Sequence, residues 1–376
     1  MRRRWGAILS LSILLSSCAV SPPPTTPTSA PAFEATTVRR LDETFDRTLR
    51  TLDTPGAIVG VWSRGRAWTA ERGVSDTSAR SPFTAPMHTR IGSVTKTFTV
   101  TLSLQLVDAG RVQLTDTLDR WYPDIPHANR ITLAMLSNMT SGIGNYSAQD
   151  SFQHELFANP RRHWTPAELI AVGVAAPRPF PPGQGWEYSN TNTVLVGQII
   201  ERVTGRGFDD VLREQILDPL GLTNTLYPRD ATLPPPYARG YTTQGTEDQS
   251  VQDATDWNPS WGSTAGAMIS NRDDLHTWAV ALGTGQLLQP ATFAARIAPQ
   301  TVGVGPNTAD RYYGLGVGYD HGWLAHTGEL PGYNTVVAYH PPSDTAIVVM
   351  TNSDIGDPAR VLWKALAAVV LPSASY

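Results

Sequence analysis

The sequence predicts an α+β fold: an antiparallel sheet built from the two ends of the chain, flanked by helices, with a mainly helical lobe inserted between. Three observations carry that expectation. Short apolar runs rich in β-branched and aromatic residues occur at about 54–76 and again at 310–352. Just outside them, residues 38–52 and 358–370 repeat apolar side chains every three or four positions. The long middle section has helical periods separated by Pro-rich loops, such as 177–185 and Pro234-Pro235-Pro236, and no internal repeat. With 376 residues, 41% of them hydrophobic and 16% charged, the chain has an ordinary globular composition. A formal net charge of −4 gives no basic face for a nucleic acid.

The first element is a leader. Arg2, Arg3 and Arg4 precede an apolar run over 5–15, followed by Ser16, Ser17 and Cys18. A charged start, a short apolar stretch and small residues predict an export signal over 1–17. The run is shorter than the roughly 20 apolar residues a membrane span needs. Leu15-Ser16-Ser17-Cys18 resembles a bacterial lipobox, which implies a lipid on Cys18 and a place on the outer face of the cell membrane. Cys18 is the only cysteine, so no disulfide can form within one chain. Residues 18–37 read as a Pro/Thr-rich tether, and the folded domain is expected over 38–372.

Within that domain Val38, Leu41, Phe45, Leu49 and Leu52 predict a helix that Pro55 and Gly56 end. Residues 57–62 read as a buried strand with a hairpin partner at 66–73. Late strands are expected at 312–319, 322–326, 334–339 and 345–351, and a closing amphipathic helix at 358–370.

Only two of the 29 basic residues are lysines, Lys96 and Lys364. Arginine keeps its proton in a protein, whereas a buried lysine can titrate near neutrality. A lysine kept in so arginine-biased a chain hints at chemistry that arginine cannot do. Lys364 reads as a solvated residue of the last helix. Lys96 closes Ile91-Gly92-Ser93-Val94-Thr95-Lys96, which opens a helix running through Phe98, Leu102, Leu106 and Val107 to Gly110. Residues three apart share a helix face, so Ser93 and Lys96 are expected to meet. A hydroxyl needs a nearby base or charge to become a nucleophile, and lysine supplies either, according to its protonation. Free N–H groups at a helix start make the Ser93 amide a candidate oxyanion donor. Alone, this spacing fits a helix cap followed by a solvated lysine better.

Tyr188-Ser189-Asn190 follows the Pro/Gly-rich segment 181–185 and precedes an apolar helix at 194–203. A tyrosine there can point into a cleft, and a lysine ammonium nearby would ease its ionisation for proton relay. His326-Thr327-Gly328 ends the strand Trp323-Leu324-Ala325. Gly328 allows a substrate backbone to approach a strand edge. Thr327 offers a hydroxyl, His326 a cation for a carboxylate or phenolate, and the Glu329 amide a second oxyanion donor. Each motif alone also reads as ordinary packing.

Three motifs in this order and local context resemble the serine β-lactamase and penicillin-binding protein superfamily. The branch is that of class C β-lactamases, D-alanyl-D-alanine carboxypeptidases and related esterases. The resemblance covers roughly residues 40–370 and includes 91–97, 131–143 (ITLAMLSNMTSGI), 188–197 and 326–333 (HTGELPGY). It implies that Ser93 is acylated and that Lys96 assists its deprotonation. Tyr188 would shuttle the proton to the leaving group and activate the incoming water or amine. Asn190 would hydrogen-bond Lys96 or a substrate amide, and His326 and Thr327 would orient Tyr188 and a substrate carboxylate. The amides of Ser93 and Glu329 would hold the oxyanion, with no metal or organic cofactor.

The implied substrate is a peptide, amide or ester, with cell-wall D-alanyl-D-alanine ends or a β-lactam as examples. An esterase or weak β-lactamase shares the same chemistry, and a non-catalytic lipoprotein that binds cell-wall peptide is the alternative of another class. Many superfamily members carry lysine where His326 stands, and Asn138 occupies a position that is often histidine. Trp257 and Trp261 flank an Asn-Pro-Ser loop and are expected either to wall the cleft, Trp261 above all, or to anchor packing. Asn138-Met139-Thr140 and Asn145-Tyr146-Ser147 match the glycosylation pattern by chance.

Overall fold

The structure, a computed structural model, describes residues 31–372. The expected export signal over 1–17, the lipidation residue Cys18 and the tether up to residue 30 lie outside the described residues. The rest of the expected tether is folded. The Pro31 carbonyl accepts a hydrogen bond from the Ala67 amide at 2.9 Å, Phe33 packs on the apolar core, and helix α1 (Ala35–Leu49) starts ahead of residue 38. One aromatic side chain with a hydrophobic site to fill explains why this stretch packs onto the domain.

Eight strands form one sheet: β1 (Gly56–Ser63), β2 (Arg66–Asp76), β3 (Ser81–Pro82), β4 (Arg311–Tyr313), β5 (Gly318–Asp320), β6 (Trp323–Leu330), β7 (Tyr333–His340) and β8 (Thr345–Thr351). Their order is β3-β2-β1-β8-β7-β6-β5-β4, antiparallel throughout. The ends of the chain meet where β1 pairs with β8, from Ala57↔Thr351 to Ser63↔Thr345. The expected strand at 312–319 is two strands, because a turn through Gly314 and Gly316 folds it back on itself. The expected strand at 322–326 runs on to Leu330, so His326-Thr327-Gly328 is strand interior, not strand end. Pairing of β5 to β6 covers only Trp323–Ala325. Beyond it, one edge of β6 has no strand partner among the described residues.

Side chains alternate across a strand, and both faces of this sheet are apolar. Ala57, Val59, Val61, Trp323, Val336, Ile347 and Val349 face α1 and the closing helix, where Leu41, Phe45, Leu362, Trp363 and Leu366 meet them. Trp323 and Trp363 pack edge to face at 6.1 Å. Ile58, Leu324, Val337, Val348 and Met350 face the other way, into the helical middle of the chain. That middle holds α2 (Thr95–Asp108), α3 (Asn190–Thr204), α4 (Arg272–Thr284) and α5 (Pro290–Ile297), and the chain closes with α6 (Pro358–Val370). Helix α2 is buried from Thr95 through Leu104. It is wrapped on all sides, which positions its first turn inside the molecule rather than on a surface.

Candidate active site

Ser93 sits on a one-turn 3₁₀ segment, Gly92–Val94, that leads into α2. Two glycines press this turn against β6. A Cβ on Gly328 would lie 1.9 Å from the Ile91 carbonyl oxygen, and one on Gly92, whose φ is +49°, would lie 2.3 Å from the Glu329 amide nitrogen. Gly328 therefore serves the close approach of the Ser93 turn. The contact sets the Glu329 amide beside the Ser93 turn.

The start of α2 is pinned by its threonines. Thr97 Oγ1 donates to the Val94 carbonyl at 2.6 Å and accepts from Trp278 Nε1 at 2.8 Å. Thr99 Oγ1 donates to the Thr264 carbonyl at 2.7 Å, and Thr95 Oγ1 accepts from the Met268 amide at 3.2 Å. Phe98 stacks on Trp278 at 3.8 Å.

Lys96 is fully buried. Its Nζ lies 2.9 Å from Ser93 Oγ and 2.7 Å from the carbonyl oxygen of Ala265, on the short helical turn Ser263–Gly266. Burial drives the amine well below the ordinary lysine range. A carbonyl only accepts, so one N–H of the amine is committed to Ala265. In the neutral form that burial favours, the amine has a lone pair for the Ser93 proton. The Lys96 nitrogen also sits 4.8 Å from the centre of the Tyr188 ring.

Tyr188 precedes α3 and is held by the loop before it. Ser189 Oγ and Thr191 Oγ1 both donate to the Gly144 carbonyl. Burial pushes the Tyr188 phenol up, and a hydrogen bond with Ser93 offsets part of that shift. The expected eased ionisation of Tyr188 beside a charged lysine is thus reversed: burial disfavours both the phenolate and the ammonium. Ser93, Lys96 and Tyr188, far apart in sequence, are brought together.

His326 is buried against the same site but is no cation. Its Nδ1 donates to its neighbour Thr327's carbonyl at 2.6 Å, and its Nε2 lies 2.9 Å from the Tyr313 hydroxyl. Burial above all pulls the imidazole down to about 3. The expected grip of a charged His326 on a carboxylate is corrected: a neutral ring accepts from Tyr313 and braces it beside Tyr188, the Tyr188 and Tyr313 rings being 6.2 Å apart and edge to face. The His326 Hε1 resonance is expected to hold the neutral shift from pH 5 to 8. A titration centred near the free-histidine value of about 6.5 would overturn this charge state.

Two other expected residues face elsewhere. Asn190 Nδ2 donates to Ser147 Oγ at 2.8 Å, and its amide donates to Asn145 Oδ1 at 3.0 Å. Lys96 gets its second oxygen from Ala265 and not from Asn190. Trp261 does not wall the cleft; it packs near Phe152, and its carbonyl accepts from Tyr146 at 2.6 Å. Trp257 is likewise a buried anchor. The Asn145-Tyr146-Ser147 segment, dismissed as a chance motif, is the support on which Asn190 rests.

Ser93, Tyr188, His326, Thr327 and Glu329 line one cleft of about 370 Å³. Thr327 is exposed in it. Its far wall is aromatic, with Trp186 and the stacked pair Tyr312–Tyr319, whose centres are 4.6 Å apart. Sequence reasoning missed the Ala265 carbonyl, Tyr313 and this wall. A backbone carbonyl leaves no mark in a sequence, but the aromatic spacing of the 312–319 hairpin was a usable signal. It also missed Arg296 of α5, fully buried beneath the site, which donates to Thr101 Oγ1 at 2.7 Å and the Thr97 carbonyl at 3.0 Å. Burial lowers this guanidinium to about 9. Among the described residues no group of three or more His, Cys, Asp or Glu side chains could hold a metal ion.

The arrangement offers a hydroxyl, a neutral amine within bonding reach of it, and a neutral phenol, beside two backbone amides at an open cleft. Comparison with known proteins adds the following. A family model described as Beta-lactamase matches residues 41–371. The chain is 25% identical over 363 residues to a β-lactamase of Pseudomonas fluorescens, covering 87% of this chain and 97% of that one. It superposes on a D-stereospecific amidohydrolase from Streptomyces with a TM-score of 0.80 and 30% identity, covering 89% and 99% of the two chains. A D-amino acid amidase from Ochrobactrum anthropi, complexed with L-phenylalanine, gives a TM-score of 0.78 and 25% identity over 90% and 99%.

Proposed function

The chain belongs to the Beta-lactamase family and is a serine hydrolase, and from that premise we propose that Ser93 is the acylated residue of an amidase or peptidase acting on D-configured substrates of the cell envelope. One observation carries the assignment: a fully buried Lys96 whose nitrogen lies 2.9 Å from Ser93 Oγ and which, among the described residues, is paired with no carboxylate.

In this reading the Ser93 proton passes to Lys96 as Oγ bonds to the substrate carbonyl carbon. The carbonyl oxygen, now negative, lies between the amides of Ser93 and Glu329. Tyr188, which holds its proton tightly, donates it to the leaving nitrogen, and the Lys96 ammonium returns a proton to Tyr188. The carbon–nitrogen bond breaks and the acyl group stays on Ser93. Water then attacks the ester, its proton leaving through Tyr188 and Lys96, and Ser93 recovers its own. Thr327, exposed in the cleft, hydrogen-bonds the substrate.

The neutral His326 offers a terminal carboxylate no charge on the strand beside Ser93, which favours an amide over a D-alanyl-D-alanine carboxypeptidase substrate. The two solved relatives, a D-stereospecific amidohydrolase and a D-amino acid amidase, support the same choice. The lipobox-like Leu15-Ser16-Ser17-Cys18 supports a lipid anchor on Cys18 and a place on the outer face of the membrane.

A penicillin-type probe followed by peptide mass mapping tests the assignment. The acyl adduct is expected on the peptide holding Ser93, and D-amino acid amides are expected to turn over faster than D-alanyl-D-alanine peptides, p-nitrophenyl esters or a chromogenic lactam. An adduct on another residue would sink the assignment. Binding without turnover of any of these substrates would favour a non-catalytic role instead.

A further inference from the structure

We propose that the Glu329 carboxylate selects substrates whose acyl residue carries a free, protonated amine. The inference rests on the Ser93 reading above and names the substrate class of that site. Residues two apart on a strand share a face, so Glu329 points with Thr327 into the cleft that also holds Ser93. Its own amide lies against the Ser93 turn, 2.3 Å from where a Gly92 Cβ would stand. The side chain is therefore rooted in the residue whose amide would hold the scissile carbonyl oxygen. An α-amine on the acyl residue is two bonds from that carbonyl carbon.

The charges around Glu329 lack a cation. Gln244 Nε2 donates to Glu329 Oε1 at 3.2 Å and also donates to Asp354 Oδ2. Asp354 is 8% exposed, and its Oδ1 has no hydrogen-bond partner. Among the described residues no ion pair involves Glu329 or Asp354. The Glu329 side chain reaches the open cleft, yet the protein packed around it, then the charges of Asp354 and Asp357, raise its carboxyl to about 7. A carboxylate so poorly compensated gains most from an incoming ammonium. The other acid lining the cleft, Asp320, is already met by His321 Nδ1 at 2.6 Å. The basic side chains lining the cleft, Arg311, Arg360 and Lys364, come from other elements, and Arg360 is paired with Asp357; on the strand itself, with His326 neutral, Glu329 is the acid beside the carbonyl site, and an incoming ammonium draws it to its charged form. The strand therefore attracts an amine and repels a carboxylate.

The test compares kcat/KM for D-alanine p-nitroanilide with that for its N-acetyl derivative. The intact enzyme is expected to favour the free amine by about ten- to a hundredfold, the range of a hydrogen bond to a charged group. Glu329→Asp keeps a preference, Glu329→Gln brings the ratio close to one, and Glu329→Lys inverts it. A ratio near one in the intact enzyme, or one unchanged in Glu329→Gln, overturns the inference, and the first of these needs no variant to fold. Peptide mapping separates the two readings. Absence of any Ser93 adduct sinks the Ser93 assignment and this inference with it. A Ser93 adduct with no amine preference sinks this inference alone.

Discussion

Replacing Lys96 by methionine is expected to lower kcat/KM by on the order of 10³-fold, within the 10²–10⁴ range of a positioned general base, with most of the loss in kcat. Methionine fills the same fully buried slot without a charge, so the melting temperature should hold or rise. No other base replaces the amine. His326 has both ring nitrogens engaged. Tyr188 holds its proton far above neutrality. Lys96→Arg should be as inactive and less stable, since its guanidinium stays charged where no carboxylate waits. The pH profile of the intact enzyme carries the sign: the amine must be neutral, so the rate falls as pH drops through its depressed pKa. The comparison is made with a neutral p-nitrophenyl ester and a thermal melt. A Lys96→Met enzyme keeping a tenth of the activity would remove the amine from the chemistry.

Gly328→Ala is expected to cost about 10²-fold in kcat/KM and roughly 1–3 kcal/mol of stability. The added methyl would meet the Ile91 carbonyl oxygen at 1.9 Å, the Ile91 carbonyl carbon at 2.9 Å and the Val94 amide at 3.1 Å. All three are backbone atoms, so no side chain can swing aside. The Ser93 turn has to move off β6, and a shift of about 1 Å at a reacting group is enough for a loss of that size. The two proposed oxyanion amides, one on the turn and one on the strand, separate together. Chemical denaturation and ester hydrolysis on one preparation check both parts. An alanine variant with native activity and stability would mean that the strand and the turn tolerate separation.

Much of this was legible in the chain. Continuous apolar runs at 57–62 and 345–351 and three-to-four spacing at 358–370 placed the sheet and the last helix, because a strand covered on both faces reads as an unbroken apolar run while a helix buried on one face writes its period into the sequence. Ser93 and Lys96 were legible for the same reason: three positions on one helix need no tertiary information to meet. The helix itself was harder to read. Thr95, Thr97, Thr99 and Thr101 alternate as a strand would, yet they lie on a helix: Thr97 and Thr101 turn their hydroxyls back to carbonyls of the preceding turn, Thr99 donates to the Thr264 carbonyl and Thr95 accepts from the Met268 amide. The ends of elements failed where a glycine turn or a single apolar ring decided the outcome, as at Gly314, Gly316 and Phe33. Asn190 and Trp261 failed because direction, not identity, was in question, and a neighbour such as Ser147 settles direction.

Sequence alone determined which functional groups exist and which of them share an element: a serine and a lysine on one helical face, a tyrosine ahead of a helix, and a His-Thr-Gly-Glu strand. Only the tertiary structure decided their charge. Whether Lys96 is an ammonium or an amine, whether His326 is a cation, and whether Glu329 has a counterion all depend on the solvent and partners removed by distant residues. The physical reason is that ionisation energy is set by the surroundings of a group in space, and those surroundings come from Ala265, Tyr313 and Asp354, whose positions in the chain give no hint of where they fold.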